Sequence, residues 1–253
     1  MTMSEQTKNK TEESWWETIR VVIYALLLAL FVRTLFFQPF NIPSGSMIPT
    51  LLVGDYLFVS KYTYGYSKYS VPLSPPLFNG RIWGSEPQRG DVAVFKLPRD
   101  NSSDYIKRIV GLPGDRVQMR GGVLHINSKP VKLEPIADFA NRDSLGRVAN
   151  VPQFQETLPG GVRHKVLDII PSSYTDNTPE FSVPEKHYFM VGDNRDNSSD
   201  SRVPGGGVGF VPFENLIGKA QIIFFSIQGD TRFWQVWRWP AALRWSRMFR
   251  PII

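Results

Sequence analysis

Ser46 stands in residues 41–55, Asn-Ile-Pro-Ser-Gly-Ser-Met-Ile-Pro-Thr-Leu-Leu-Val-Gly-Asp, where two prolines, two glycines and three hydroxyl residues follow directly on a long apolar segment. Such a stretch is bent and held rather than helical, so a hydroxyl nucleophile can stand clear of its own backbone. Taken alone, Ser-Gly-Ser reads better as a polar turn. The second candidate is Lys107, in Tyr-Ile-Lys-Arg-Ile-Val at 105–110. Side chains alternate along a strand, so Lys107 shares a face with Tyr105 and Ile109, and burial among them disfavours its ammonium form. Moving it from about 10.4 to about 8 requires roughly 3 kcal/mol of desolvation. A lysine so neutralised takes the proton of a serine hydroxyl and is the nearest substitute for a histidine base. Without a partner serine, a strand lysine reads as an ordinary surface residue.

A third element is residues 192–202, Gly-Asp-Asn-Arg-Asp-Asn-Ser-Ser-Asp-Ser-Arg, after the apolar run 188–191. Short polar residues and opposite charges at this density make a loop locked by side-chain to backbone hydrogen bonds and ion pairs. Asp193, Asp196 and Asp200 offer oxygens to a metal, but Arg195 and Arg202 neutralise them, and the spacing departs from the calcium-loop pattern. The loop is therefore read as structural, with no metal. His125, His164 and His187 are the available bases for a Ser-His-Asp arrangement, and structural or exposed roles suit them better. The glycines of 205–209 are followed by neither a helical pattern nor Lys-Ser/Thr, so they read as a turn rather than a phosphate loop.

The elements that position these residues follow from composition and pattern. With 253 residues, 42% hydrophobic and 21% charged, the chain suits one sizeable domain, or a domain with an insertion, around a real core. Cysteine is absent, which removes disulfides, thiolate nucleophiles and thiolate metal sites. The net charge of +6 suits an anionic membrane surface or nucleic acid. Residues 1–14 are polar and without apolar period, and read as a mobile tail. Residues 15–38 open on Trp15 and Trp16, run uncharged from 21 to 32 between Arg20 and Arg33, and end in aromatics, approaching the roughly 20 residues of a bilayer span. A cleaved leader would need a small-x-small site nearby, and the nearest candidate, 44–46, is distant and flanked by prolines. An uncleaved transmembrane anchor is the reading. Lys8, Lys10 and Arg20 on one side balance Arg33, Lys61 and Lys68 on the other, so charge does not set its orientation.

Beyond Pro39, short apolar runs punctuated by glycine and proline indicate an all-β body. Strands are expected over 51–53, 56–60, 91–97, 105–110, 117–119, 123–126, 188–191 and 220–227. Residues 39–126 and 187–230 form the expected β core, and 127–186 an inserted, smaller β subdomain. Residues 62–90, rich in tyrosine and proline, make a long excursion that is ordered if its aromatics pack. In 231–253, Trp234, Trp237, Trp239 and Trp245 stand among Arg232, Arg238, Arg244, Arg247 and Arg250, which suits a lipid interface better than nucleic-acid stacking, with ordinary packing against the body as the main other reading.

Four blocks in order give the chain a resemblance to the bacterial type I signal peptidases. They are Pro43-Ser44-Gly45-Ser46-Met47 with Pro49-Thr50-Leu51; Arg89-Gly90-Asp91-Val92; Tyr105-Ile106-Lys107-Arg108 with Gly111-Leu112-Pro113-Gly114-Asp115; and Gly192-Asp193-Asn194 through Asp200-Ser201-Arg202. With the anchor they cover about half of the chain. The resemblance implies an antiparallel β catalytic body behind one transmembrane helix and a serine endopeptidase that cleaves preproteins after small-x-small, Ala-x-Ala motifs through an acyl-enzyme. It implies Ser46 as nucleophile, Lys107 as general base, and Ser44 with the Ser46 N–H as oxyanion hole. Ser198 matches a serine that hydrogen-bonds the lysine, and Asp200 with Arg202 a supporting ion pair, with Gly192 and Asp193 in the same framework. No cofactor is implied. The implied partners are preproteins, the bilayer and a secretion translocon, with no nucleic acid, at the bacterial inner membrane with the body on its outer face. The alternatives are a pilin-maturing relative and a non-catalytic anchored β module that binds extended peptides.

Overall fold

The computed structural model describes residues 3–72, 74–76, 78–142, 148–170, 172–228, 231 and 235–253; Arg232 and Trp234 of the expected interface tail lie outside them. Among the described residues one long helix, α1 (Met3–Leu35), leads into fifteen strands. Its stretch Trp15–Leu35 has a mean hydropathy of 2.0 over its most apolar window, and none of that window is buried against the protein. An apolar helical stretch left uncovered by the rest of the protein is suited to lipid rather than to a soluble core. The helix also runs back through the segment expected to be a mobile tail. Glu, Gln and Lys there have good helix propensity, and extending an existing helix needs no new nucleus.

The strands are β1 (Phe37–Asn41), β2 (Asp55–Ser60), β3 (Val92–Lys96), β4 (Asp104–Gly111), β5 (Arg116–Arg120), β6 (Val123–Ile126), β7 (Lys129–Pro130), β8 (Lys132–Arg142), β9 (Val148–Thr157), β10 (Arg163–Leu167), β11 (Phe181–Ser182), β12 (His187–Val191), β13 (Phe210–Pro212), β14 (Leu216–Ser226) and β15 (Arg250–Pro251). The fold is mainly β, as the sequence pattern indicated, and the pairings of its strands are antiparallel, as the resemblance implied. The main sheet runs β1-β2-β14-β3-β4-β12-β13, with β15 added to β14. In β2, Leu57 and Val59 point into the core while Tyr56 faces out, the alternation of a half-buried strand. At the centre, β3 and most of β4 are buried on both faces, which suits their Val, Ala, Ile and Phe content.

Two smaller sheets lie apart from it. One joins β11-β5-β6-β7 and the other β10-β9-β8. The division differs from the expected one, because β5 and β6, read as part of the core, pair with β7 and β11 from the insertion. Local patterning identifies strands but not which distant strand completes their sheet. The expected strand at 51–53 is a turn instead. Asp55 accepts the Leu52 N–H through its carboxylate at 2.8 Å, Asp55 N–H bonds Leu52 O at 3.0 Å, and Gly54 takes φ +88° to close the turn. The tyrosine-rich excursion is tied down by buried Tyr64, whose hydroxyl donates to Asp91 at 3.0 Å, by Tyr66, which donates to Leu35 O at the end of α1, and by Tyr69.

The C-terminal segment folds onto the body. Arg244 and Arg247 converge on the fully buried carboxylate of Asp55, which also accepts from Ser226 Oγ at 2.6 Å, and Ile252 is buried in the main core. Trp237, Trp245 and Phe249 remain outside, at 72%, 65% and 73% exposure. Asp55→Ala strips the Leu52 N–H, Ser226 and both guanidiniums of their common acceptor, and is expected to cost about 3 kcal/mol of stability. Denaturant unfolding in detergent measures this; an unchanged midpoint would mean that the C-terminal segment is not held through Asp55.

Candidate active site

Residues 42–54 form a compact loop closed at its neck by Ile42 N–H to Asp55 O at 2.9 Å and Gly54 N–H to Ile42 O at 3.0 Å. Met47 and Leu51 are completely buried and plug it into the core, while Leu51 N–H bonds Met47 O at 2.9 Å. These two anchors leave Ser46 at the bend between them and the cleft. From the other side the loop 192–202 reaches in. Asn194 N–H bonds Ser46 O and Asn194 Nδ2 bonds Gly45 O, both at 3.1 Å. A Cβ on Gly192 would lie 2.6 Å from Ser46 O and 2.2 Å from Ser198 Oγ, so only glycine permits this approach.

Lys107 comes from β4 and meets Ser46 across 61 residues of sequence. Its Nζ lies 2.6 Å from Ser46 Oγ, and Ser44 Oγ is 3.5 Å from the same hydroxyl. Lys107 is 4% exposed and packs its amine 5.6 Å from the centre of the Tyr105 ring, on the face that strand alternation assigns to it. Burial pushes its pKa down to about 8, against the opposing pull of Asp200 and Asp193, with Arg202 adding to the depression. At that value about a tenth of the amine is uncharged at pH 7, and this fraction can accept a proton from the serine.

Three buried ion pairs hold the acidic loop, Arg195–Glu156 and the two that lie nearest Lys107. Arg202 Nε and Nη2 grip Asp200 at 3.0 and 2.9 Å, and Gly192 N–H bonds the same carboxylate at 3.0 Å. Burial alone would raise the Asp200 carboxyl; Arg202, joined by the Gly192 N–H and Ser198, holds the group below its ordinary value. The second pair joins Arg108 to Asp193, Nε to Oδ1 at 2.8 Å and Nη2 to Oδ2 at 2.7 Å, with both side chains sealed from solvent. Arg108 also bonds Gly90 O at 2.7 Å and Ile253 O at 3.0 Å, while Thr50 Oγ1 donates to Asp193. Against burial, Arg108 keeps the Asp193 carboxyl below its usual range.

The structure thus brings Ser44, Ser46, Lys107, Asp193, Asp200 and Arg202 into one neighbourhood. The expected hydrogen bond from Ser198 to Lys107 is not formed. Ser198 Oγ is packed against Gly192 and makes no hydrogen bond of ordinary geometry among the described residues, although it lies close enough to help hold the Asp200 carboxylate; the Lys107 amine is turned onto Ser46. Arg108, Thr50 and Asn194 were not singled out from the sequence. The signal for Arg108 was present: it follows Lys107 on the same strand, so it must face the opposite side, where a buried guanidinium requires a carboxylate such as Asp193.

None of the three histidines hydrogen-bonds Ser46. His125 Nδ1 pairs with Val123 O, His187 Nδ1 with Glu185 O, and His164 Nε2 lies 3.3 Å from Glu156. Among the described residues Asp168, Asp176 and Asp196 are the acidic trio close enough to share a cation, two of them from the insertion and Asp196 from the acidic loop. A cleft of about 490 Å³ opens over the site, lined by Phe40, Ile42, Val94, Tyr105 and Ile106, with Ser44, Ser46 and Lys107 in its wall. It is bordered both by β1 and by β4, four places along in the sheet, so the sheet must curl to bring them together. β12 pairs with β4 only at Arg108, Ile109 and Gly111, which leaves the β12 side of Asp104, Tyr105, Ile106 and Lys107 without a strand partner among the described residues.

The family described as "Signal peptidase, peptidase S26" matches residues 15–225. The chain is 41% identical over 262 residues to the signal peptidase I of Rickettsia akari, spanning 96% of this chain and 94% of that protein. It is 45% identical over 226 residues to the signal peptidase I of Rickettsia conorii, spanning 86% and 81% respectively. A solved signal peptidase I structure from Enterococcus faecalis V583 aligns with 53% of this chain and 97% of its own, at 24% identity and a TM-score of 0.31. Identity sustained along nearly the whole of the Rickettsia proteins, together with the match over residues 15–225, gives one conclusion: the chain belongs to the signal peptidases of the S26 family.

Proposed function

We propose that Ser46 and Lys107 form the catalytic dyad of this peptidase and cleave preproteins after small-x-small motifs through an acyl-enzyme. Family membership carries the coarser statement, that the protein is a membrane-anchored serine protease acting on signal peptides. The observation that carries the finer one is the 2.6 Å separation of Ser46 Oγ and a buried Lys107 amine. Uncharged Lys107 takes the Ser46 proton as Oγ bonds to the scissile carbonyl carbon. The proton then passes to the leaving amine as the C–N bond breaks, releasing the mature chain and leaving the leader as an ester on Ser46. Lys107 next takes a proton from water, whose oxygen attacks the ester; Oγ leaves and recovers a proton from the lysine.

The oxyanion of each tetrahedral intermediate is met by the Ser46 N–H and the Ser44 hydroxyl. The Ser46 N–H has no acceptor among the described residues, so it is available for this role. The unpaired stretch of β4 before Arg108 suits a substrate that adds as a strand, with its backbone paired there and its side chains directed at the cleft. Phe40, Ile42 and Ile106 leave shallow apolar space suited to the alanine side chains of Ala-x-Ala.

Preproteins emerge on the outer face of the bacterial inner membrane, and the catalytic body is assigned there, tethered by α1. Exposed Trp237, Trp245 and Phe249 favour contact of the C-terminal segment with lipid headgroups, and a secretion translocon is a natural neighbour of such a site.

The test is cleavage of a preprotein in detergent by wild type, Ser46→Ala and Lys107→Ala, each verified as folded. Both variants are expected to lose at least about a thousandfold in kcat; a folded Ser46→Ala that still cleaves would refute the mechanism. Because the proton acceptor is the neutral amine, kcat/KM should rise with pH through a midpoint near 8 and fall away below it. A rate independent of pH between 6 and 10 (about two units either side of that midpoint) would contradict this. Ser44→Ala should lower kcat about a hundredfold with little change in KM, the scale of one oxyanion donor; an effect on KM alone would assign Ser44 to binding.

A further inference from the structure

The sheet formed by β8, β9 and β10 stands apart from the main one, yet its inner end is built into the loop that faces Lys107. Leu167, which ends β10, donates its N–H to Asp193 O at 2.9 Å and bridges Asn194 in parallel. Just beyond, Ile169 and Ile170 give their N–H groups to Asp196 Oδ2 at 2.7 and 2.8 Å. On β9, Glu156 is 1% exposed and accepts Arg195 Nη2 at 2.6 Å. His164 lies opposite Glu156 in the strand register, with Nε2 3.3 Å from Glu156 Oε2 and 3.9 Å from Asp193 Oδ1.

From Arg195 the contacts run directly to the active site. The Arg195 carbonyl accepts Arg202 Nη2 at 2.5 Å, Arg202 grips Asp200, and Asp200 is the strongest attraction acting on the Lys107 amine. A buried ion pair adds little net stability over apolar packing of the same volume, because desolvation offsets its attraction. What it does supply is a single geometry, since a displaced Arg195 would leave Glu156 buried and uncompensated.

We propose that Glu156 is a positioning residue of the peptidase site: through its ion pair with Arg195, the β8-β9-β10 lobe sets the register of residues 192–202 and hence the placement of Asp200 relative to Lys107. This rests on the reading of Ser46 and Lys107 given above. Lys107 is faced by Asp200, Asp193 and Arg202; Glu156 is faced by Arg195 and His164, and His164 also by Arg108 and Asp193. Removing the charge of Glu156, or letting Asp200 retreat, takes negative potential away from Lys107. Either change makes the amine easier to deprotonate and moves the activity midpoint to lower pH.

The experiment compares full-length wild type with Glu156→Gln, Glu156→Asp and, as a control on the outer surface of the same lobe, Glu134→Gln, with preprotein as substrate in detergent. Glu156→Gln is expected to lower kcat about tenfold, the scale of coupling within one charge network, with KM unchanged and the pH midpoint moved down. Glu156→Asp keeps the charge and should recover the midpoint and part of kcat, while Glu134→Gln behaves as wild type. If Glu156→Gln does not fold, Glu156→Asp decides: a lowered kcat at constant KM supports the proposal, and a wild-type kcat overturns it. A folded Glu156→Gln with wild-type kcat and midpoint, or one altered only in KM, likewise overturns it. Wild type that leaves the preprotein intact would refute the peptidase reading itself, whereas an active wild type with indifferent Glu156 variants refutes this inference alone.

Discussion

The ion pair between Arg108 and Asp193 is the contact on which the site depends. It is bidentate, sealed from water, and shared by five segments: β4 through Arg108, the acidic loop through Asp193, the serine loop through Thr50, the turn at Gly90, and the C-terminal segment through Ile253 O. Burying two such charges is costly, and loss of one partner would leave the other uncompensated at about 3–5 kcal/mol. The pair therefore fixes a geometry more than it adds stability. Strand alternation then gives the next step. Arg108 and Lys107 are consecutive on β4 and face opposite sides, so the strand held by the paired guanidinium presents an amine with no carboxylate hydrogen-bonded to it. Arginine keeps its charge under burial, and lysine gives its proton up.

This division explains how two basic residues at adjacent positions come to play different parts. Asp193 and Asp200 lie near Lys107 and pull its pKa up, but each is already satisfied by its own arginine, and burial wins. The amine's short contact is with the Ser46 hydroxyl. The same arrangement accounts for the crowding at Gly192, where any side chain would collide with both Ser46 O and Ser198.

Much of the architecture was legible in local pattern. The apolar stretch of α1, the mainly β body and the face of β4 that carries Lys107 all follow from hydropathy and period. Residues whose role depends on distant partners were not legible in the same way. Leu51, Leu52 and Val53 have the composition of a strand, but the Asp55 carboxylate turns the chain there. β5 and β6 were recognisable as strands, while their sheet partners, β7 and β11, come from segments that local pattern could not rank. The proximity of Ser46 and Lys107 was reached only through resemblance, since nothing in 61 residues of intervening pattern specifies a 2.6 Å contact. Resemblance also placed Ser198 on the lysine, where the packing against Gly192 instead holds it on the Asp200 side.

The central claim is that Lys107 acts as an uncharged amine made accessible by a lowered pKa, and the most direct measurement is its titration in the folded state. The full chain in detergent micelles, labelled with 13C at the lysine ε carbon, gives a signal for Lys107 that is identified by its absence from Lys107→Met. The account predicts a titration midpoint near 8, well below the ordinary lysine value. A midpoint at the ordinary lysine value of 10.5 would contradict it, because the amine would then be an ammonium throughout the physiological range and unable to take the serine proton.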